Sequence, residues 1–136
     1  MKTPRLPRPL RSGFTLLEMT IVIMVLLALM KIGLFTSSKM DEWKLGRAAS
    51  ETLRSVYSAQ RMYLADNPTA SVGSLTDALV IPYLPNNVTV MPTVKSLTGS
   101  NLAILVNVSP PVINAGSGVT YDPSGSNNDS LWDVGE

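Results

Sequence analysis

Few residues in this 136-residue chain can do chemistry, and Glu18 is the one whose position most needs a reason. From Phe14 to Phe35 only Glu18 and Lys31 are charged. An isolated carboxylate in hydrocarbon costs on the order of a few kcal/mol, less near an interface. Glu18 sits just over one helical turn from Phe14, so its depth moderates that cost without removing it. There is no histidine and no cysteine, which excludes imidazole bases, thiolate nucleophiles, disulfide staples and the common zinc sites. What remains for catalysis is carboxylates or a serine-lysine pair. Lys95-Ser96 is the only such pair in the distal half, and neighbouring residues on a strand point to opposite faces. The chain therefore reads as a non-enzyme.

The segment before Glu18 is unusual in the order of its parts. Lys2, Arg5, Arg8 and Arg11 stand in the first thirteen residues with Pro4, Pro7 and Pro9 and with no acidic residue. The prolines disfavour helix, so residues 1–13 read as an extended basic leader. In an ordinary secretory signal the small residue follows the apolar region; here Gly13 precedes it. A cut at Gly13 leaves the apolar helix on the mature chain as an anchor. Without the leader's four basic residues the remainder holds seven basic against ten acidic residues, which gives no basic stripe for nucleic acid. Basic flanks stay on the cytoplasmic side, so the N-terminus is expected inside and the C-terminus outside.

Residues 14–35 form the anchor: at about 1.5 Å per residue they cover about 33 Å, close to the hydrocarbon thickness of a bilayer. Lys31 lies near the outer end and can snorkel to the interface. No proline occurs between Pro9 and Pro68, so one helix of roughly 75 Å from Phe14 to about Leu64 is expected. Gly33 and Thr36-Ser37-Ser38 are a weak point within it. Residues 36–66 turn amphipathic: Leu45, Ala49, Leu53, Val56, Gln60 and Tyr63 recur at spacings of three and four, with Tyr57 and Leu64 beside them. Asp66-Asn67-Pro68 ends the helix.

Residues 67–136 read as a small β-rich region. Ser74 to Leu79 suggests a brief helix capped by Ser74, with Asp77 three residues on. Strands are expected at Val88–Met91, Leu102–Val108 and Val119–Tyr121, with Leu102, Ile104, Val106 and Val108 on one face and turns at Thr98–Asn101 and Gly116–Gly118. The expected fold is α+β, a long N-terminal helix whose amphipathic half packs on a small antiparallel sheet across residues 45–64. The run Asp122 to Ser130 is oxygen-rich and turn-prone.

Arg11-Ser12-Gly13, then Phe14-Thr15-Leu16-Leu17-Glu18 and an otherwise nearly uncharged helix, resembles the class III signal of type IV pilins and type II secretion pseudopilins. The likeness is strong over residues 5–35 and looser from Ser58-Ala59-Gln60 through Tyr63 to Tyr83-Leu84-Pro85. It implies a cut after Gly13 by a membrane-embedded prepilin peptidase and N-methylation of the new amine on Phe14. It also implies extraction of the bacterial inner-membrane helix by an assembly platform with a cytoplasmic ATPase, and polymerisation with copies of itself or other pilins. In that family the carboxylate at the position of Glu18 pairs with the N-terminal amine of a neighbouring subunit. Low dielectric makes such a contact strong and the separated charges costly. The plainer alternative is an interfacial carboxylate with no partner.

The chain departs from adhesive pilins in lacking a proline inside the helix and a C-terminal disulfide loop, which favours a pseudopilin-like subunit with a periplasmic head. Major pseudopilins often hold calcium in a C-terminal loop, and Asp122 and Asp129 supply oxygen donors that suit it. No EF-hand spacing is present, and a solvated turn remains the alternative. The competing functional reading is a minor pilin acting as a tip binding or adhesion module or in DNA uptake.

Overall fold

A computed structural model describes residues 13–135. The fold is α+β: helix α1 (Leu16–Asp66) is followed by a small region of antiparallel strands on which the second half of α1 packs. The chain divides after Ser38 into two compact units. In the first unit every residue from Gly13 to Ser38 is exposed, and the helix there is long and apolar enough to cross a membrane. Its surface is apolar on all sides apart from Glu18, Lys31 and a few hydroxyl side chains, so it has no polar face to offer water. At its end the hydroxyls of Thr36 and Ser38 donate back to the carbonyls of Ile32 and Phe35 at 3.0 and 2.9 Å, the helix-compatible way for such residues to satisfy themselves.

In the second unit α1 buries Gly46, Ala49, Ser50, Leu53, Val56, Ala59 and Gln60, a stripe at helical period. Leu45 and Tyr63 flank it half-buried. The stripe meets Leu75, Val80, Leu84, Val94, Ile104, Val106, Ile113 and Trp132 in one apolar core. Gln60 is fully buried within it, and its Nε2 donates to the carbonyls of Val106 and Val108, each at 2.8 Å. Those carbonyls lie just past a strand and lack a ladder partner, so the amide replaces one. At the end of α1 the Tyr83 hydroxyl donates to Asp66 at 3.0 Å, and its ring meets Tyr63 edge-on at 5.7 Å. The bond to Asp66 raises the Tyr83 pKa.

Strands β1 (Val94–Lys95) and β2 (Asn101–Leu102) form a hairpin. Strands β3 (Ile104–Leu105), β4 (Val112–Gly116) and β5 (Val119–Thr120) form a three-stranded antiparallel sheet in that order. Ile104 faces Ile113, Leu105 faces Val112, and the β4–β5 register shifts between Asn114 and Gly116. Gly116 (φ 111°), Ser117 (φ 53°) and Gly118 (φ 78°) make the tight turn between β4 and β5, where glycine adopts left-handed backbone at low cost.

Three local expectations are corrected. Val88–Met91 is not a strand: it follows a 3-10 turn in which Asn86 and Asn87 take positive φ, Val90 is 69% exposed, and Pro92 cannot donate to a ladder. The pairing segment is Val94–Lys95 instead. Leu102–Val108 is broken after Leu102 and again after Leu105; Val108 is exposed and its carbonyl accepts from Gln60 in place of a ladder partner. Ser74 caps no helix; it closes a 3-10 turn over Val72–Ser74 and its hydroxyl donates to the Ser71 carbonyl at 2.8 Å. Helix α2 (Asp77–Val80) starts after Thr76.

Candidate functional site

The residues singled out for processing, Gly13 and Phe14, lie just before α1, and Glu18, singled out for assembly, lies in its first turn. Thr15 stands immediately before the helix; its carbonyl accepts the first helical bond, from the Met19 amide at 3.2 Å. Its Oγ1 accepts the Glu18 amide at 3.2 Å. Thr15 is therefore the cap and Glu18 the third helical residue, the Thr-x-x-Glu spacing of a capping box. The sequence carried that signature in plain view, and it adds a local reason for a carboxylate at this position: the positive end of the helix dipole favours one in the first turn.

Phe14, 74% exposed, lies two residues before the helix, and Glu18 lies in its first turn. Among the described residues the ion pairs are Lys39–Glu42 at 2.7 Å and Lys44–Asp41 at 3.5 Å, and Glu18 belongs to neither. Gly13 is exposed, and a methyl group placed on it would meet nothing within 4 Å. Packing among the described residues gives no reason for a glycine there. The basic leader, residues 1–13, lies outside the described residues apart from Gly13.

The second candidate group lies in the C-terminal segment. One Asp122 oxygen accepts from the Ser124 amide at 3.0 Å and the Ser124 hydroxyl at 2.7 Å, and one Asp129 oxygen accepts from the Leu131 amide at 2.9 Å. Both carboxylates close turns of their own loop. A third, Asp133, was not foreseen: both its oxygens are buried without a hydrogen-bond partner. Burial raises its pKa, followed by the charges of Asp129 and Asp122, while the nearby Gly135 and Ser130 amides oppose part of the rise. Asp122 and Asp133 border a cavity of about 410 Å³ together with Pro110, Pro111, Asn127 and Trp132. No group of three or more carboxylates is spaced to hold a metal ion among the described residues. The fit to calcium is thus one orphaned carboxylate and two that retain a free oxygen.

This segment is no loose tail. Arg54 donates from Nε to the Val134 carbonyl and from Nη2 to Ser130 Oγ, each at 2.7 Å, and the Trp132 amide donates to the Gly46 carbonyl at 3.1 Å. These contacts fasten residues 130–134 along α1 as a strap. Lys95 and Ser96 are not brought together: Lys95 is exposed, whereas Ser96 is 3% exposed. The Ser96 hydroxyl is engaged with Thr98 Oγ1 at 2.8 Å and the Ser100 amide at 3.0 Å.

No family model, no curated protein and no solved structure matches the chain.

Proposed function

We propose that the chain is a structural filament subunit of the pseudopilin type. It is made as a precursor and cut after Gly13 by a prepilin peptidase, with the new Phe14 amine methylated. Residues 14–35 anchor it in a bacterial inner membrane with the leader cytoplasmic and the head periplasmic. An ATPase-driven platform then draws it into a type II secretion pseudopilus or a pilus-like filament, alone or with related subunits.

The observation that carries this reading is the helix start itself. A single carboxylate, Glu18, stands in the first turn of a helix whose residues from Leu16 to Phe35 are all exposed. A helix apolar all round needs lipid or other helices against it. Lipid satisfies the apolar side chains but leaves Glu18 costly. A bundle of copies satisfies both, provided a cation is brought to the carboxylate, and the amine freed at Phe14 is one at the right height. Calcium on Asp122 and Asp129 is the ligand this reading would add to the head, and its binding would be read as added thermal stability.

The test is to follow processing and incorporation separately. Replacing Gly13 by a bulkier residue is expected to leave uncut precursor in the membrane, read by mass of the N-terminal peptide. Glu18→Val is expected to be cut normally and to be missing from sheared filaments. A mature N-terminus at Phe14 in the Gly13 variant, or filaments at wild-type yield from Glu18→Val, would overturn the proposal.

A further inference from the structure

The basic side chains on the second half of α1 are matched within the chain, with one exception. Lys39 pairs with Glu42 at 2.7 Å and Lys44 with Asp41 at 3.5 Å. Arg47 has Glu51 four residues on, a spacing that makes side chains neighbours on a helix, and Arg54 ends on the strap. Arg61 has no such match: three and four residues to either side stand Tyr57, Ser58, Leu64 and Ala65. It is exposed, its guanidinium lies 5.7 Å from the centre of the Tyr57 ring, and Met62 beside it is 55% exposed. Among the described residues no carboxylate oxygen comes within 4.0 Å of it.

Residues 67–94 show the reverse, with Asp77 as their only charged residue. It is exposed at the start of α2. It borders two shallow cavities, one of about 320 Å³ with Ile81, Val90 and Pro92, the other of about 500 Å³ with Leu75 and Leu105. Val90 is 69% exposed, and Asp77 too enters no ion pair among the described residues. A lone carboxylate between apolar walls suits a guanidinium that brings an aromatic ring and a thioether with it.

The two places lie on different sides of the head. Arg61 follows Arg54 by seven residues, about two turns, on the flank of α1 that the strap occupies. Ala48, Thr52 and Ser55 on the other flank border a cavity with Pro92, and Pro92 also borders the one beside Asp77. A contact between them therefore joins two copies through unlike surfaces, the kind that continues from copy to copy. Nucleic acid is a poorer occupant, since residues 67–136 hold one basic residue against five acidic ones and repel a polyanion.

We propose that Arg61 of one copy, with Tyr57 and Met62, docks against Asp77 and Val90 of a second copy and so fixes how neighbouring heads meet in the filament. This rests on the reading that copies polymerise, and it adds a contact between heads to the one assigned to Glu18. Charge complementarity selects the occupant: the unmatched cation and the unmatched carboxylate belong to the same chain, each beside exposed apolar side chains.

The chain has no cysteine, so cross-linking of the full-length protein tests the contact. Ser58 and Ala78 are exposed and stand close to Arg61 and Asp77 in sequence. Ser58→Cys combined with Ala78→Cys, treated in sheared filaments with a short bis-maleimide, is expected to give a ladder of dimers, trimers and longer oligomers, while each single-cysteine variant stays monomeric. Arg61→Gln and Asp77→Asn, added singly to that pair, should each lower the ladder about five-fold, the scale of an exposed ion pair. Arg61→Asp with Asp77→Arg should restore it, and Lys95→Gln should leave it unchanged. Filaments at parental yield that give no ladder overturn the contact alone. So do dimers from a single-cysteine variant, which mean a surface meeting itself, and a ladder lost in Lys95→Gln but kept in Arg61→Gln. A parent chain absent from sheared filaments overturns the polymerisation reading and the contact with it.

Discussion

Gly46 and Trp132 meet so closely that a methyl group on Gly46 would stand 2.7 Å from the indole Nε1 and 3.2 Å from two further ring atoms. The Trp132 amide donates to the Gly46 carbonyl beside that contact at 3.1 Å. The ring is held from another side by Tyr121, edge-on at 5.3 Å. The C-terminal strap thus closes on α1 at a residue with no side chain, and Trp132 completes the core from outside the sheet.

Gly46→Ala sets two effects against each other. Alanine in place of a helical glycine gains about 1 kcal/mol in propensity. Forcing a methyl into a packed core costs about 1–3 kcal/mol, and here the obstacle is a buried ring and a backbone bond with little room to retreat. The second effect is expected to win. The variant should melt at a lower temperature and lose near-ultraviolet dichroism from Trp132; an equal or higher melting point would mean the strap shifts freely.

Arg54 grips the same strap from about two turns further along α1. Its two hydrogen bonds end on acceptors belonging to different residues, Val134 and Ser130, and a guanidinium spans such a pair with a planar fork that an ammonium lacks. Arg54→Ala is expected to lose on the order of 1–3 kcal/mol, the scale of charged hydrogen bonds at a partly buried site. Arg54→Lys should recover only part of it. Urea titration gives the stability, and C-terminal trimming by a carboxypeptidase reports the strap directly. Trimming at the wild-type rate in both variants would show that the strap is held by Trp132 alone.

The amphipathic half of α1 was legible because helical period does not depend on what the helix packs against: Ala49, Leu53, Val56 and Gln60 were read from spacing and all four are buried. Strand β4 was hidden by its composition. Pro110 and Pro111 precede it, and Asn114 and Gly116 lie within it, residue types that strands disfavour; Ile113 is nevertheless fully buried between two strands. Only pairing on both sides makes it a strand. The strap was hidden for another reason: it is held largely through the Trp132 amide and the Val134 carbonyl, and every residue has such groups. At the site, Thr15 was readable from its spacing to Glu18, whereas Asp133 becomes noteworthy only once the chain buries it.

Asp133 gives a pH dependence with a definite sign. Its folded pKa is raised, by burial first and then by Asp129 and Asp122, so the folded state binds the proton more tightly than the unfolded chain. Stability from this group falls as pH rises from the ordinary carboxylate value through the raised folded value, and the full penalty applies above it. In buffer freed of divalent ions, Asp133→Asn is expected to melt higher than the parent at neutral pH, with the gap closing in acid below the ordinary carboxylate range. An Asp133→Asn chain less stable than the parent in metal-free neutral buffer would mean that the carboxylate is satisfied in solution.

Glu18 has two physical reasons to exist, and they predict opposite mutant pairs. As the third residue of a capping box it supports the helix start together with Thr15, whose hydroxyl accepts its amide at 3.2 Å. Glutamine serves that position nearly as well as glutamate, while Thr15→Ala removes the cap at a cost of about 1 kcal/mol. As the partner of an amine on another copy it needs its charge and has no use for the threonine. Thr15→Ala is then expected to enter filaments near the parental level, and Glu18→Gln to be cut to the same mature N-terminus yet fail to enter them. Quantifying each variant in sheared filaments against the membrane pool separates the cases. Full incorporation of Glu18→Gln alongside failure of Thr15→Ala would reduce Glu18 to a helix-starting residue, because a neutral side chain that still caps leaves the helix formed and removes only the charge.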